Sequence, residues 1–333
     1  MNGGEQTIIF HNKPRIVAGY GIVGPKEGEG PLADYFDEIA KDDLFDQKSY
    51  EKAECKMHLL AIERAIERAG VNESDMCALL SGDLLNQIIS SSFSARELDI
   101  PFLGLYNACS TFGEALILGS IMIDGGSMQR VACSTSSHFS TAERQYRYPL
   151  ELGTQMTPTA QWTVTGSGCS VLCREGEGPF VAAATVGKVV DYDITDANNM
   201  GAAMAPAAAY TIATHLKETD RKADYYDAIV TGDLGIFGSE MLHQLLLSEG
   251  IDIAHVHMDC GKMIFDEKQK VHMGGSGAGC SSSVFNTYFL QKLHSGELRK
   301  ILFVPTGALL SKVSSLQGES IPGIAHAVAI EVE

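Results

Sequence analysis

The sequence predicts an α/β fold made of two halves that share one topology. Short apolar strands alternate with helices along the whole chain, which is the pattern of a mostly parallel sheet covered on both faces. The tripeptide Gly82-Asp83-Leu84 recurs as Gly232-Asp233-Leu234 at an offset of 150 residues, and landmarks around it recur in the same order, which argues for an internal duplication. At 333 residues the chain is long enough for about two compact units, and the repeat divides it into residues 1–190 and 191–333.

The elements follow in order. Ser49–Gly70 reads as an amphipathic helix: Ser49 caps its first turn, Met57, Leu60, Ile62 and Ile66 recur at helical spacing, and Gly70 closes it. Met76–Ser81 is a short buried strand, and Pro101–Tyr106 is a second, running into Asn107-Ala108-Cys109. Ser110–Asp124 is apolar on nearly every face and stops at Gly125-Gly126, as a helix buried all round should. Val131–Ser134, Gly166–Cys173 and Phe180–Val190 complete the strands of the first half.

The second half repeats this. A helix at Ala207–Lys217 precedes strand Ala228–Thr231, and the glycine loop Met273–Gly279 opens a helix that runs to His294. Strand Ile301–Pro305 follows Ser295-Gly296, and Ile324–Val332 mirrors Gly166–Cys173.

Composition limits the function. With 45% hydrophobic and 20% charged residues the chain is of globular type, and 25 Lys+Arg against 42 Asp+Glu leave a net charge of −17. Such a field repels phosphates and anionic headgroups, so nucleic acid and bare membrane surface are excluded as generic partners. An anionic small molecule needs a local pocket of donors or an accompanying cation. The first ten residues carry no basic, apolar-cored leader, which predicts synthesis in the cytosol without a signal peptide. Leu116–Ile123 and Met200–Ile212 are too interrupted to span a bilayer. The eight cysteines lack a disulfide or C-x-x-C pattern and read as reduced thiols.

The sharpest chemical feature is Tyr106-Asn107-Ala108-Cys109-Ser110-Thr111-Phe112-Gly113, a cysteine between a strand and a buried helix. Free N–H groups and the macrodipole at such a helix start favour a thiolate, and they also suit an oxyanion. This context together with Thr165-Gly166-Ser167-Gly168-Cys169 resembles the thiolase and ketosynthase superfamily, in the style of 3-oxoacyl-acyl-carrier-protein synthase III. The resemblance spans nearly the whole chain. It implies a thiolase-like five-layered αβαβα fold from two duplicated halves, in a homodimer. Those enzymes add two histidines, or a histidine and an asparagine, from the second half. Here the corresponding stretches read Thr231-Gly232-Asp233-Leu234 and His272-Met273-Gly274-Gly275-Ser276-Gly277. Loss of both partners removes the general base and most of the oxyanion hole, so the resemblance implies a scaffold without the chemistry.

Among such triad-less proteins, CALLSGDLLNQIISSSF, GLYNACSTFGEAL and HFSTAERQYRYPLELGTQMTPTAQWTVTGSG resemble the stage V sporulation protein AD family of spore-forming Firmicutes. That resemblance implies non-catalytic binding of dipicolinic acid (pyridine-2,6-dicarboxylate) for its uptake into the developing spore. It also implies transfer to membrane proteins of the stage V sporulation A group and a peripheral place at the forespore or spore inner membrane. A pocket for this rigid diacid needs several donors and a flat apolar wall. The expected ligand-binding residues are Cys109, Ser136, His138, Thr165 and His326, with Asp83 facing the metal if the bound species is the calcium chelate. No other cofactor is expected. The bland alternative for Asp83 is a turn residue after Gly82. The competing function is an acyl transferase or ketosynthase-like enzyme with Cys109 as nucleophile and His138 or His326 as substitute base. A scaffold with an empty pocket is the third reading.

Other signals carry less. His255, His257 and Asp259 alternate as on one strand face but lack a fourth metal ligand. Gly275-x-Gly277-x-Gly279 is better explained by helix entry than by a dinucleotide. Cys169 and Cys173 are spaced for a strand core. Arg144, Tyr146, Arg147 and Tyr148 form a basic, aromatic patch that fits a pocket mouth, a subunit contact or a solvated loop.

Overall fold

The computed structural model describes residues 4–147, 150–153 and 155–333. Ten strands form the body of one large sheet: β1 (Arg15–Val23), β2 (Ala78–Gly82), β3 (Phe102–Gly104), β4 (Arg130–Ser137), β5 (Gly166–Cys173), β6 (Phe180–Thr185), β7 (Ala228–Thr231), β8 (His257–Asp259), β9 (Lys300–Val304) and β10 (Ala327–Glu331). They lie side by side in the order β3-β2-β4-β5-β1-β6-β10-β9-β7-β8. Read inward from the two ends, the sequences 3-2-4-5-1 and 8-7-9-10-6 are the same order shifted by five strands. This is the duplication in spatial form.

In each half the outer three strands pair in parallel and the inner ones antiparallel, and β1 meets β6 in a single register pair, Arg15 with Phe180. The sheet is therefore mixed, a correction to the mostly parallel expectation. The segment from β4 to β5 contains no long crossover helix, and without one the chain returns antiparallel.

Six helices make three further layers. Helix α1 (Tyr50–Arg68) lies on β1, β4 and β5 beside the short α2 (Ile89–Arg96). Between the half-sheets run α3 (Thr111–Asp124) and α6 (Ala278–Val284), the latter carried on by a wide turn at Phe285–Phe289 to Ser295. The far side is covered by α4 (Met200–Glu218), on β6 and β10, and by α5 (Gly235–Ser248), which packs on α4. Numbered this way, α1 and α4, α2 and α5, and α3 and α6 are counterparts in the two halves. Phe112 of α3, Phe285 and Phe303 of β9 meet with ring centroids 4.7–6.0 Å apart and tie the middle layer to the second half-sheet.

Several elements differ from expectation. The strand from Phe180 stops at Thr185 and lies in the second half-sheet, paired with β10, not in the first half as expected, and Ile324–Val332 is split at His326 into a hairpin strand, Gly323–Ala325, and β10. Helix α4 starts at Met200, not Ala207, and passes through Pro206: burial of its alanine-rich face against α5 and the hairpin outweighs the lost backbone bond. The central strand β1 is disguised by Gly19 and Gly21, where a Cβ would come within 2.4 Å of Asn286 and 2.6 Å of Thr287. In α2 the serines hydrogen-bond back to helix carbonyls, Ser92 to Ile88 and Ser94 to Ser90, which blurs any amphipathic pattern. Cys169 and Cys173 are in the core of β5, as expected.

Helix α6 approaches β5 closely enough that glycine is required on both sides. A Cβ on Gly168 would lie 2.2 Å from the Ser282 carbonyl oxygen, and one on Gly279 2.1 Å from that of Gly166. Since both obstacles are backbone, Gly279→Ala is expected to cost about 1–3 kcal/mol. A matching fall in the urea midpoint at unchanged m-value checks this.

Candidate functional site

Cys109 sits in a tight turn between β3 and α3. Ala108 holds φ of +50°, a conformation that costs a non-glycine residue about 1–2 kcal/mol. Hydrogen bonds on both sides maintain it: Asn107 N–H donates to Thr111 Oγ1 at 2.9 Å, Thr111 Oγ1 donates to the Ala108 carbonyl at 2.7 Å, and Ser110 Oγ to the Asn107 carbonyl at 2.7 Å. The turn delivers the thiol to a small pocket of about 40 Å³, walled by Leu84, Ala142, Tyr146, Arg147, Met200 and Ser276, among others.

Across the pocket the sulfur meets polar groups of the second half. Ser276 Oγ is 3.9 Å from Sγ and donates to Asp233 Oδ2 at 2.7 Å. The same carboxylate oxygen accepts from Gly277 N–H at 3.0 Å, while Oδ1 accepts from Thr306 Oγ1 at 2.6 Å. Asp233 is fully buried, and burial raises its carboxyl pKa against those three donors. Burial, followed by the Asp233 charge, pushes the Cys109 thiol well above its ordinary range. The helix start was expected to favour a thiolate; here desolvation and a facing carboxylate win over the macrodipole. Asp233→Asn is accordingly expected to speed alkylation of Cys109 by iodoacetamide at pH 8, read by peptide mass spectrometry, and an unchanged rate would contradict this electrostatic account.

A larger groove of about 730 Å³ opens outside. It shares Tyr106, Tyr146 and Leu310 with the inner pocket. Tyr146 donates its hydroxyl proton to the Leu84 carbonyl, so Tyr106 donates to Tyr146 across 3.1 Å, and the pair forms the partition between the two spaces.

Of the six residues expected to bind ligand, only Cys109 lines the inner pocket, and none is hydrogen-bonded to another. Both oxygens of Asp83 accept backbone N–H groups, from Leu85 at 2.8 Å and Ser91 at 2.7 Å, so its contacts are those of a turn residue. Ser136 Oγ donates to Glu54 at 3.1 Å under α1, and Thr141 donates to the other oxygen of Glu54 at 2.8 Å. His138 accepts from Ser140 N–H at Nδ1, which leaves Nε2–H to donate to the Asp43 carbonyl at 2.7 Å. Thr165 Oγ1 accepts from Phe139 N–H, and its own N–H donates to the buried Glu27 at 2.9 Å.

His326 lies behind the Cys109 turn. Its Nε2 is 3.0 Å from the Asn107 amide, its Nδ1 accepts from Gly187 N–H at 3.2 Å, and burial lowers its pKa to about 4. It braces the turn as a neutral imidazole.

The discounted signals resolve differently. His257 bonds to Thr231 and His243, and Asp259 caps the Cys260–Met263 turn. Among the described residues no cluster of three or more His, Cys, Asp or Glu is arranged for a metal ion. Arg147 and Tyr146 of the polar segment do line the pocket, whereas Tyr148 lies outside the described residues. The residues missed at the site are thus Asp233, Ser276 and Tyr106, whereas Tyr146 and Arg147 had been read in a patch that fits a pocket mouth, a subunit contact or a solvated loop. The repeated Gly-Asp-Leu was the available signal for Asp233.

Comparison with known proteins agrees with this architecture. A profile of the stage V sporulation protein AD family matches residues 4–331. The chain is 43% identical to stage V sporulation protein AD of Bacillus subtilis strain 168 over 328 residues, 98% of this chain and 97% of that protein. Among solved structures it is similar to 3-oxoacyl-[acyl-carrier-protein] synthase III of Aquifex aeolicus, with TM-score 0.59 and 11% identity over 96% of this chain and 100% of that one. It is likewise similar to cerulenin-bound OleA of Xanthomonas campestris, with TM-score 0.64 and 13% identity over 98% of each chain. At these identities the structural likeness establishes the thiolase-like fold alone.

Proposed function

The chain belongs to the stage V sporulation protein AD family, a sporulation family, and on that premise we propose that it binds dipicolinic acid without converting it. The observation that carries this reading is the environment of Cys109. Its polar neighbours are a hydroxyl and a carboxylate, and the thiol is held in its protonated form. A cysteine nucleophile needs a base or a lowered pKa. These contacts raise the thiol pKa instead of lowering it and place no imidazole beside the sulfur, which supports a receptacle over an acyl transferase.

The inner pocket of about 40 Å³ holds a few waters, not an aromatic diacid, whereas the outer groove is within the roughly 300–1,000 Å³ range of ligand sites. Entry of the diacid toward Cys109 therefore parts Tyr106 from Tyr146. In this proposal the ligand passes to membrane proteins of the stage V sporulation A group. Among the described residues no helix is long and apolar enough to cross a membrane, so the proposed place at the spore inner membrane is peripheral. The exposed edge strand β3, with Leu103 41% accessible, supports a homodimer.

Isothermal titration of the purified protein with dipicolinate, run with and without calcium, tests the reading and separates the free diacid from its chelate. Saturable binding, with no mass added to Cys109 by acyl-coenzyme A, is the expected result. Stoichiometric acylation of Cys109 with turnover would establish the enzyme reading instead.

A further inference from the structure

Arg147 is the one cationic side chain lining the inner pocket among the described residues, in a chain of net charge −17. Its side chain is only 5% exposed, and Nη1 donates to Glu143 Oε1 at 2.7 Å and to the Gln161 carbonyl at 3.2 Å. Glu143, one helical turn earlier, is itself 9% exposed in its side chain. A buried pair of this kind gives little net stability, because desolvation of both ions offsets their attraction. What it does provide is a guanidinium held in one place, with both described contacts made by one of its three nitrogens. Its fork suits a carboxylate better than any other group on the pocket wall.

We infer that Arg147 is the anion-recognising residue of the Cys109 pocket, binding a carboxylate of the ligand while Glu143 holds the guanidinium in place and offsets its charge. The inference rests on the proposed function and adds what that reading lacked, a counter-charge for the diacid. The outer groove has one further cation, Lys312, which is exposed on the rim and outside the inner pocket.

Calorimetric titration of the full chain with dipicolinate, on wild type and four variants, tests this. Arg147→Gln should weaken binding by about ten- to a hundredfold, the loss of a charge-assisted carboxylate contact. Arg147→Lys, which keeps the charge and loses the fork, should fall between. Glu143→Gln removes the competing carboxylate and should tighten binding several-fold, a direction that simple damage to the fold does not produce. Lys222→Gln, at an exposed position that lines neither space, should leave affinity within twofold. The neutral analogue pyridine-2,6-dicarboxamide should not distinguish wild type from Arg147→Gln. If wild type binds and a folded Arg147→Gln binds equally, or if Glu143→Gln weakens binding, the inference is overturned while the proposed function stands. If wild type fails to bind dipicolinate, both fall.

Discussion

Asp233→Ala is expected to destabilise the protein by about 3–6 kcal/mol, the largest effect of any single truncation at the site. The side chain joins three segments of the second half: the loop after β7, the Ser276-Gly277 entry to α6, and Thr306 beyond β9. Its removal leaves three buried donors without their acceptor, at about 1–2 kcal/mol each. Asp233→Asn retains an acceptor oxygen and should cost less than half as much. Urea unfolding of the two variants checks the ranking. Equal stability of Asp233→Ala and wild type would mean that the carboxylate is dispensable to the fold.

Stability is expected to fall by about 2 kcal/mol as the pH rises from 6.5 to 8. Burial raises the pKa of both Glu27 and Glu54 to about 8, with the Asp83 charge adding to the shift at Glu54. The folded chain therefore keeps these protons up to about pH 8, whereas the unfolded chain releases them near its ordinary value of 4.5. The unfolded state binds fewer protons in between, so stability decreases with rising pH by about 1.4 kcal/mol per unit for each group. Buried histidines act in the opposite sense. His58, His215 and His257 are lowered to about 3 and His326 to about 4, so they are neutral when folded and protonated when unfolded below about pH 6.5. Their contribution rises with pH, is still growing at 6.5 and is complete by about 7.5, so it offsets part of the carboxyl loss in between. Above that point only the carboxyl slope is left, and acid below about 4.5 leaves only the histidine penalty. Thermal midpoints from pH 5 to 9 should be highest on the mildly acidic side of neutrality. Glu27→Gln with Glu54→Gln should flatten the alkaline limb, and an alkaline limb of unchanged slope in that double variant would contradict these assignments.

What the sequence made legible follows from which signals are local. The capped helix at Ser49, the apolar helix ending at Gly125-Gly126 and the strand Gly166–Cys173 were read close to their observed bounds because cap, periodicity and terminator lie within the element itself. Strand β1 was missed because its glycines answer to the side chains of Asn286 and Thr287 in the wide turn after α6, far away in sequence. Helix α4 was shortened at Pro206 because the packing that carries it past the proline is tertiary.

The site divides along the same line. Cys109 was legible from its strand-turn-helix context. The charge state of its thiol was not, since Asp233 reaches it only through the assembly of the second half. Asp83 and Asp233 occupy equivalent places in the repeat, yet one serves the turn into α2 and the other spans to α6 and Thr306. Ser136, His138 and Thr165 follow the first half's strands closely enough to suggest convergence on a ligand. Instead Ser136 donates to the buried Glu54 of α1, His138 donates to the Asp43 carbonyl, and Thr165 Oγ1 accepts from Phe139 N–H. Arg147 belongs to a polar segment without periodicity, so its basic, aromatic surroundings left a pocket mouth, a subunit contact and a solvated loop all open.

The central claim is that this thiolase-like cavity holds its ligand without reacting with it. A crystal structure of the protein grown with dipicolinate tests that most directly. The account predicts the pyridine ring between the parted Tyr106 and Tyr146, one carboxylate on Arg147, and an unmodified Cys109 sulfur. Density for the diacid elsewhere with the tyrosine pair still closed, or a covalent adduct on Cys109, would contradict it.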